Sequence, residues 1–457
     1  MRVFHKRSRI PASASNLFEW HARPGTFERL TPPWIPARVV ERTGGIEDGA
    51  RLVMRIGVGP VGIHWTAEHR DYIPGQQFCD VQVSGPFAHW EHVHRFEPAG
   101  DDASFLDDRI SYRLPLEALG GWLGGPISRR ALDRMFTYRD RVTIEDLVRH
   151  RRYEGSPLRV LVTGASGMVG RELCAFLTTG GHEVLRAVRG RSAGEDEVSW
   201  DVERGLATDE RLQGLDAVVH LAGENIAGAR WSDEVKRRIR ASREVGTRRL
   251  CESLAALAKP PRVLVSASAI GFYGDRGEEV VDERSQRGSG FLSDVCVAWE
   301  EATTPARDAG IRTVLLRNGV VLSAGDGALK KMLPPFLVGL GGRIGDGRQI
   351  MRWIALDDLL AVFLHVIRDR QLEGPVNAVG PVAVSNAAFT KTLGRVLHRP
   401  TIAPLPAFAA RALFGEMADE MLLAGARVVP TRLLESGFEF LQPDLEDALR
   451  HTLGRGR

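Results

Sequence analysis

The segment Thr163-Gly164-Ala165-Ser166-Gly167-Met168-Val169-Gly170 constrains this chain more than any other. It follows the apolar run LRVLV and opens RELCAFLTT, which has helical character. A glycine-rich turn between strand and helix lets backbone approach a pyrophosphate, which then rests on the positive end of the helix. The spacing is GxxGxxG rather than GxGxxG, so the placement between strand and helix is what turns a plain glycine turn into a dinucleotide loop. The following strand, EVLRAVRGR, ends in Arg189 and Arg191, with no carboxylate before Glu195. A site for NAD offers Asp or Glu there to the ribose hydroxyl, whereas arginine suits a 2′-phosphate. The cofactor expected is NADP.

Around the loop, strand runs alternate with helical stretches: LRVLVTG, HEVLRAVRG, DAVVHLAG, RVLVSAS and IRTVLLRNGVVL. Such alternation predicts an α/β fold, a Rossmann-type doubly wound parallel sheet. From about residue 375, Pro-rich turns and helices read as a small C-terminal cap on the same fold. Upstream the composition differs. Eight of the thirteen histidines lie in the first 150 residues, and Tyr273 is the only tyrosine after Tyr153. The two regions meet at RHRRYEGSPLR, where Gly155 and Pro157 resist extending a regular element. The domains expected are 1–153, 157–374 and 375–457.

The first domain reads as α+β. Residues 15–30 predict two short helices broken at Pro24-Gly25, and short strands between turn residues fill 37–114. In HWEHVHRF, alternation puts Trp90, His92, His94 and Phe96 on one face of a strand. A closing helix over 126–150 would bury Ile127, Leu132, Met135, Phe136 and Val142. A curved sheet gripping that helix encloses an apolar cavity, lined by Trp65, Trp90, His92, His94 and Phe96. His92 and His94 share a face that suits a metal, but two histidines with no third ligand evident read as polar cavity residues. No metal is expected.

Composition removes several classes. Basic and acidic residues nearly cancel, 61 against 58, and no motif speaks for nucleic acid. No apolar run reaches the ~18 residues of a membrane span. MRVFHKRSRIPASASNLFEW has no apolar core of a secretory signal, and Cys79, Cys174, Cys251 and Cys296 form no CxxC pair. A cytoplasmic protein with reduced thiols is expected; its oligomeric state stays open.

Six segments carry a resemblance: TGASGMVG, DAVVHLAGENIAG, RWSDEVKRRIRASREVGT, SASAIGFYG, GFLSDVCVAWE and LRNGVVL, in order over about 300 residues. The second part resembles the atypical extended short-chain dehydrogenase/reductases, within them the epimerase/dehydratase-like subfamily. LFGEMADEMLLAGARVVPTRLLESGFEF resembles that subfamily's tail domain. The resemblance implies a pyrophosphate loop of Gly164, Ser166, Gly167, Met168 and Val169, with Arg189 at the 2′-phosphate. It implies contacts to the cofactor from Leu221, Ala222 and Gly223, from Arg243, and from Val321 at the nicotinamide end. Residues 1–150 resemble START-like helix-grip (SRPBCC, polyketide cyclase/dehydrase-type) domains, which implies an apolar ligand.

The chemistry departs from the family pattern. Active members use a Ser, a Tyr and a Lys four residues beyond the Tyr; here the last two positions hold Leu292 and Cys296. Ser268 matches the family serine, and Tyr273 is the one tyrosine left to act as acid or base. Cys296 has no histidine partner in the sequence to activate it. Asp357-Asp358 reads as the capped start of a helix, and the glycine-rich loop holding Arg343, Arg348 and Arg352 as a flap favouring an anion. Two readings follow: an NADP-dependent oxidoreductase or epimerase-like enzyme of a small molecule, with Ser268 and Tyr273 catalytic, or a non-catalytic NADP and ligand sensor. Transfer of labelled hydride separates them.

Overall fold

The computed structural model describes residues 1–57, 61–115, 117–190 and 194–456, with the side chains of 117–124 outside that description. Two compact units result. One holds Met1–Glu154, Ala175–Gly181 and His451–Arg457; the other holds Gly155–Cys174 and His182–Arg450.

The first unit is a seven-stranded antiparallel sheet. Its strands are β1 (Arg2–Ile10), β2 (Ala37–Thr43), β3 (Arg51–Ile56), β4 (Ile63–Ile73), β5 (Gln77–Ser84), β6 (His89–Pro98) and β7 (Ser104–Arg113), in spatial order β1-β7-β6-β5-β4-β3-β2. Between β1 and β2 come α1 (Ala14–Ala22), capped by Ser13 accepting from Asn16 N–H, and α2 (Thr26–Leu30). They part at Pro24-Gly25 because Gly25 takes φ +93°, a conformation other residues resist. The long helix α3 spans Glu117–Arg152. Leu132, Phe136 and Val142 are buried on it as expected, but Ile127 is exposed. It lies about 2.5 turns before Phe136, hence on the opposite face. The alternation in β6 holds: Trp90, His92, His94 and Phe96 are all buried. Phe96 goes into the core instead of the cavity wall, its ring edge-on to Phe18 at 5.1 Å.

The second unit is built on β8 (Arg159–Thr163), β9 (Glu183–Arg189), β10 (Glu197–Asp201), β11 (Gly205–Leu206), β12 (Ala217–His220) and β13 (Val263–Ala269), followed by strands Arg312–Asn318 and Gly374–Ala378. They lie in the order β11-β10-β9-β8-β12-β13 and then those two, all parallel except β11. Every residue of β12 is buried, as in a strand covered on both faces. The chain order reverses between β8 and β12, which opens a crevice at their carboxyl ends. IRTVLLRNGVVL divides at Gly319, and Val320–Leu322 pairs instead with Trp353–Ala355. A Cβ on Gly319 would stand 2.9 Å from the Arg352 carbonyl oxygen, so this crossing is made on bare backbone. Among the described residues no helix is long and apolar enough to cross a membrane.

Candidate functional site

The turn after β8 is shaped by what its glycines lack. Gly164 has φ +69°, and a Cβ there would stand 2.8 Å from the Leu221 carbonyl carbon and 2.9 Å from Ala222 N. A Cβ on Gly167 would stand 3.2 Å from the Gly164 oxygen, and one on Gly170 2.2 Å from it. The first turn of α4 (Met168–Thr179), with Met168 and Val169 half-buried, is thus folded down onto the loop, while Ser166 and Gly167 stay exposed. An open backbone cradle at a helix N-terminus fits the pyrophosphate of a dinucleotide.

Buried hydrogen bonds pin the neighbouring loop. Thr163 Oγ1 accepts from Leu221 N–H at 3.2 Å and Ala222 N–H at 3.3 Å. Its own proton goes to His220 Nδ1 at 2.7 Å, leaving His220 Nε2–H to donate to Thr247 at 2.9 Å. Burial, with the nearby Arg243 charge, lowers the His220 pKa to about 3, so this imidazole is neutral. Arg243, on α5 (Asp233–Ala255), is buried and stacked 4.8 Å above Trp299, and donates to Glu224 O and Ile239 O. A Cβ on Gly223 would sit 3.3 Å from its guanidinium carbon. Arg189 ends β9, exposed and with no hydrogen bond or ion pair to a described residue; Arg191 lies outside the described residues. Val321 is half-buried in its short strand, opposite Ile354.

Ser268 and Tyr273 are joined in one buried chain. Ser268 Oγ donates to Glu300 Oε1 at 2.7 Å, and Glu300 accepts a bidentate pair from Arg317, both bonds 2.8 Å. Arg317 Nη1 donates to the Tyr273 hydroxyl at 3.0 Å, and that hydroxyl donates to Asn377 Oδ1 at 2.8 Å. Tyr273 is fully buried, and desolvation pushes its pKa up against the pull of the Arg317 charge. In this arrangement the phenol is neutral and its proton is committed. On α6 (Phe291–Glu301), Leu292 and Cys296 pack against the Ile270–Tyr273 turn; a Cβ on Gly271 would be 3.3 Å from Leu292 Cβ and 3.7 Å from Cys296 Sγ. Burial raises the Cys296 thiol to about 12, which removes it as a nucleophile at neutral pH.

Sequence patterns gave no sign of Glu420. It stands in a π-helical turn, Ala418–Leu423, and accepts from Phe291 N–H at 2.7 Å and Leu292 N–H at 2.8 Å. The first turn of α6 is capped by a carboxylate from far along the chain. Asp358, in the first turn of the helix Leu356–Arg368, plays a related part: its oxygens accept from Leu441 N–H and Gln442 N–H, both at 3.0 Å. Of the three flap arginines, Arg343 and Arg348 are exposed, and Arg348 pairs with Asp346. Arg352 is buried. It donates to Gly380 O at 3.2 Å, but its Nε and Nη1 have no partner among the described residues. Burial and the Arg427 charge lower its pKa to about 10.

The first unit holds a cavity of about 430 Å³ lined by Leu52, Met54, Trp65, Ala67, Trp90 and Met135 among others. One wall is polar. His92 Nε2 lies 2.9 Å from Asp108 Oδ1, and His94 Nε2 lies 3.1 Å from Asp80 Oδ2. His69 Nε2 reaches Asp80 Oδ1 at 2.8 Å. Asp80 was invisible as a partner of the histidines in sequence, because only the β5–β6 register puts it opposite His92.

Comparison with known proteins agrees with this architecture. Residues 10–137 match the polyketide cyclase/dehydrase and lipid transport family, 160–380 the NAD dependent epimerase/dehydratase family, and 405–452 a domain of unknown function. An epimerase family protein of Mycobacterium bovis is 45% identical over 296 residues, 65% of this chain and 98% of that protein. The human epimerase family protein SDR39U1 is 36% identical over 299 residues, 65% of this chain and all of that one. A solved structure of SDR39U1 with NADPH superimposes with a TM-score of 0.60 at 35% identity, covering 65% of this chain and 99% of that chain. A nucleoside-diphosphate sugar epimerase from Corynebacterium glutamicum covers 99% of this chain and 90% of its own, with a TM-score of 0.80 at 36% identity. On sequence and fold together, the chain belongs to the NAD dependent epimerase/dehydratase family, with a polyketide cyclase-like helix-grip domain ahead of its Rossmann-type unit.

Proposed function

We propose that the second unit is an NADP-dependent oxidoreductase or epimerase-like enzyme that acts in the cytoplasm on a small molecule carrying an anionic group. Arg189 at the end of β9, exposed and without a partner among the described residues, carries the cofactor preference. The likeness to a protein solved with NADPH supports the same choice. Gly164, Ser166, Gly167, Met168 and Val169 would hold the pyrophosphate, Arg189 the 2′-phosphate, and Leu221, Ala222, Gly223, Arg243 and Val321 the rest of the cofactor. The cofactor supplies hydride exchange. Ser268 and Tyr273 would serve the substrate end, Tyr273 releasing its proton only if it gives up its bond to Asn377. Three domains, 1–153, 157–374 and 375–457, belong to the same proposal; the strand Gly374–Ala378 runs across the last of these limits.

Titration of NADPH and NADH against the wild type and Arg189→Glu tests the cofactor reading. NADPH binding should weaken by ~1–3 kcal/mol in the variant, as for loss of a charge-assisted pair, while NADH is unaffected. Equal behaviour of both cofactors in both proteins would sink it. For the anion, pyrophosphate should raise the thermal midpoint of the wild type more than that of Arg352→Met. Equal shifts would rule out Arg352 as the contact.

The buried, committed state of Ser268 and Tyr273, with Leu292 and Cys296 where an acid/base pair would stand, favours a second reading: an NADP-binding sensor without turnover. Deuterium passing from labelled NADPH into any product of a metabolite extract excludes it.

A further inference from the structure

In the first unit, three side chains converge on one wall of the cavity, where the ring of His94 also stacks on Phe78 at 4.3 Å. Asp80 on β5 and His92 on β6 stand directly opposite each other, and His94 stands opposite Asp108 on β7. His92 Nδ1 and His94 Nε2 face the same carboxylate oxygen, Asp80 Oδ2, at 3.9 and 3.1 Å. The remaining nitrogens turn the other way: His92 Nε2 and His94 Nδ1 lie 2.9 and 2.8 Å from Asp108 Oδ1, the second off the hydrogen-bond axis. His69 fixes the other oxygen of Asp80. Both histidines and Asp108 are buried, and the group forms part of the wall of the apolar cavity.

The donor types match those of a transition-metal site. Two imidazoles and one carboxylate each bring one ligand atom within 4.8 Å of the others, so an ion entering there would displace the proton shared by His94 and Asp80. His92 has its far nitrogen hydrogen-bonded to a second carboxylate, Asp108, the outer contact that orients metal-bound histidine, and the far nitrogen of His94 lies beside the same oxygen. Strands hold the set, so the geometry is built before any ion arrives. We infer that Asp80, His92 and His94 form a mononuclear site for a divalent transition-metal ion of the zinc class. Two nitrogens and one oxygen suit such an ion better than calcium or magnesium, which take oxygen. Three protein ligands leave a position open toward the cavity. The occupant that fits is an apolar molecule with a carbonyl or carboxylate oxygen, its body against Trp65, Trp90 and Met54 and its oxygen on the metal. The inference stands independently of the NADP-binding unit.

The full-length protein, stripped with chelator and dialysed, is titrated with Zn²⁺ by calorimetry and with Co²⁺ by visible absorption. One equivalent of either should bind, and Co²⁺ should develop d–d bands. Asp80→Asn and His94→Gln should abolish stoichiometric binding. Asp108→Asn should lower affinity by about 10- to 100-fold, as for loss of an outer-shell partner. A wild type that takes up no ion, or binding that survives both ligand substitutions, overturns the site. If those variants do not fold, X-ray absorption on the Co²⁺-loaded wild type decides. Scattering from two imidazoles supports the site, and from none or one refutes it.

Discussion

Replacing Arg317 by methionine is expected to lower the unfolding free energy of the second unit by about 3–5 kcal/mol, the usual cost of leaving a buried carboxylate without its partner. The Glu300 side chain is 10% exposed and that of Arg317 4%, so water cannot take over. The loss reaches further than one ion pair. Glu300 also accepts from Ser268, and Arg317 also donates to Tyr273 and lies 3.4 Å from the centre of the Phe272 ring. The urea midpoint of the full-length protein measures the effect. The companion variant Arg317→Met/Glu300→Leu removes both charges and should recover much of the loss, because an apolar pair of similar volume carries no unpaired charge. If the single variant is as stable as the wild type, the chain linking Ser268 to Tyr273 is not what holds that end of the sheet.

Gly170→Val is expected to abolish binding of NADPH and NADH alike. The added Cβ would meet the Gly164 oxygen at 2.2 Å and Ala165 Cα at 2.8 Å, both backbone atoms with no rotamer to yield. Helix α4 must lift from the turn, and the cradle opens. Overpacking of this kind also costs ~1–3 kcal/mol of stability. The contrast with Arg189→Glu is the informative part: one variant loses the dinucleotide, the other only its preference for the phosphorylated form. Fluorescence titration with both cofactors reads the difference. Undiminished binding by Gly170→Val would mean that the cofactor does not rest on this turn.

The parts of this protein that a linear reading reached are those fixed by local chemistry. The glycine turn could be read because its strand, its glycines and its helix are contiguous, and the alternation in HWEHVHRF because a strand has period two. Failures came where a distant segment decides. Ile127 is the exception, since the angle of its own helix, opposite Phe136, is enough to turn it outward. The alternation of β6 puts Phe96 on the cavity face, yet α1 brings Phe18 over it. Asp80 sits in CDVQVS, which carries no periodic sign of a ligand, and only the pairing of β5 with β6 sets it beside His92. Ser268 and Tyr273 share one stretch, but Glu300, Arg317 and Asn377 come from three others, so their union depends on the parallel order of the sheet. Asp357-Asp358 stands in the first turn of its helix as its sequence predicts, but that Asp358 also holds backbone more than eighty residues away is not legible from it.

The cap that Glu420 places on α6 has a consequence for how this chain is made. Its two hydrogen bonds join residues 128 and 129 positions apart, and Asp275 likewise waits for Gly425, 150 positions on. During synthesis the strands of the sheet emerge well before these partners, so α6 is exposed with its first amide groups in water. The ribosome must add more than a hundred further residues before that helix is finished. At ~5–20 residues per second this leaves an interval of several seconds or more in which a chaperone can bind, or a neighbouring nascent chain can pair, at that helix end.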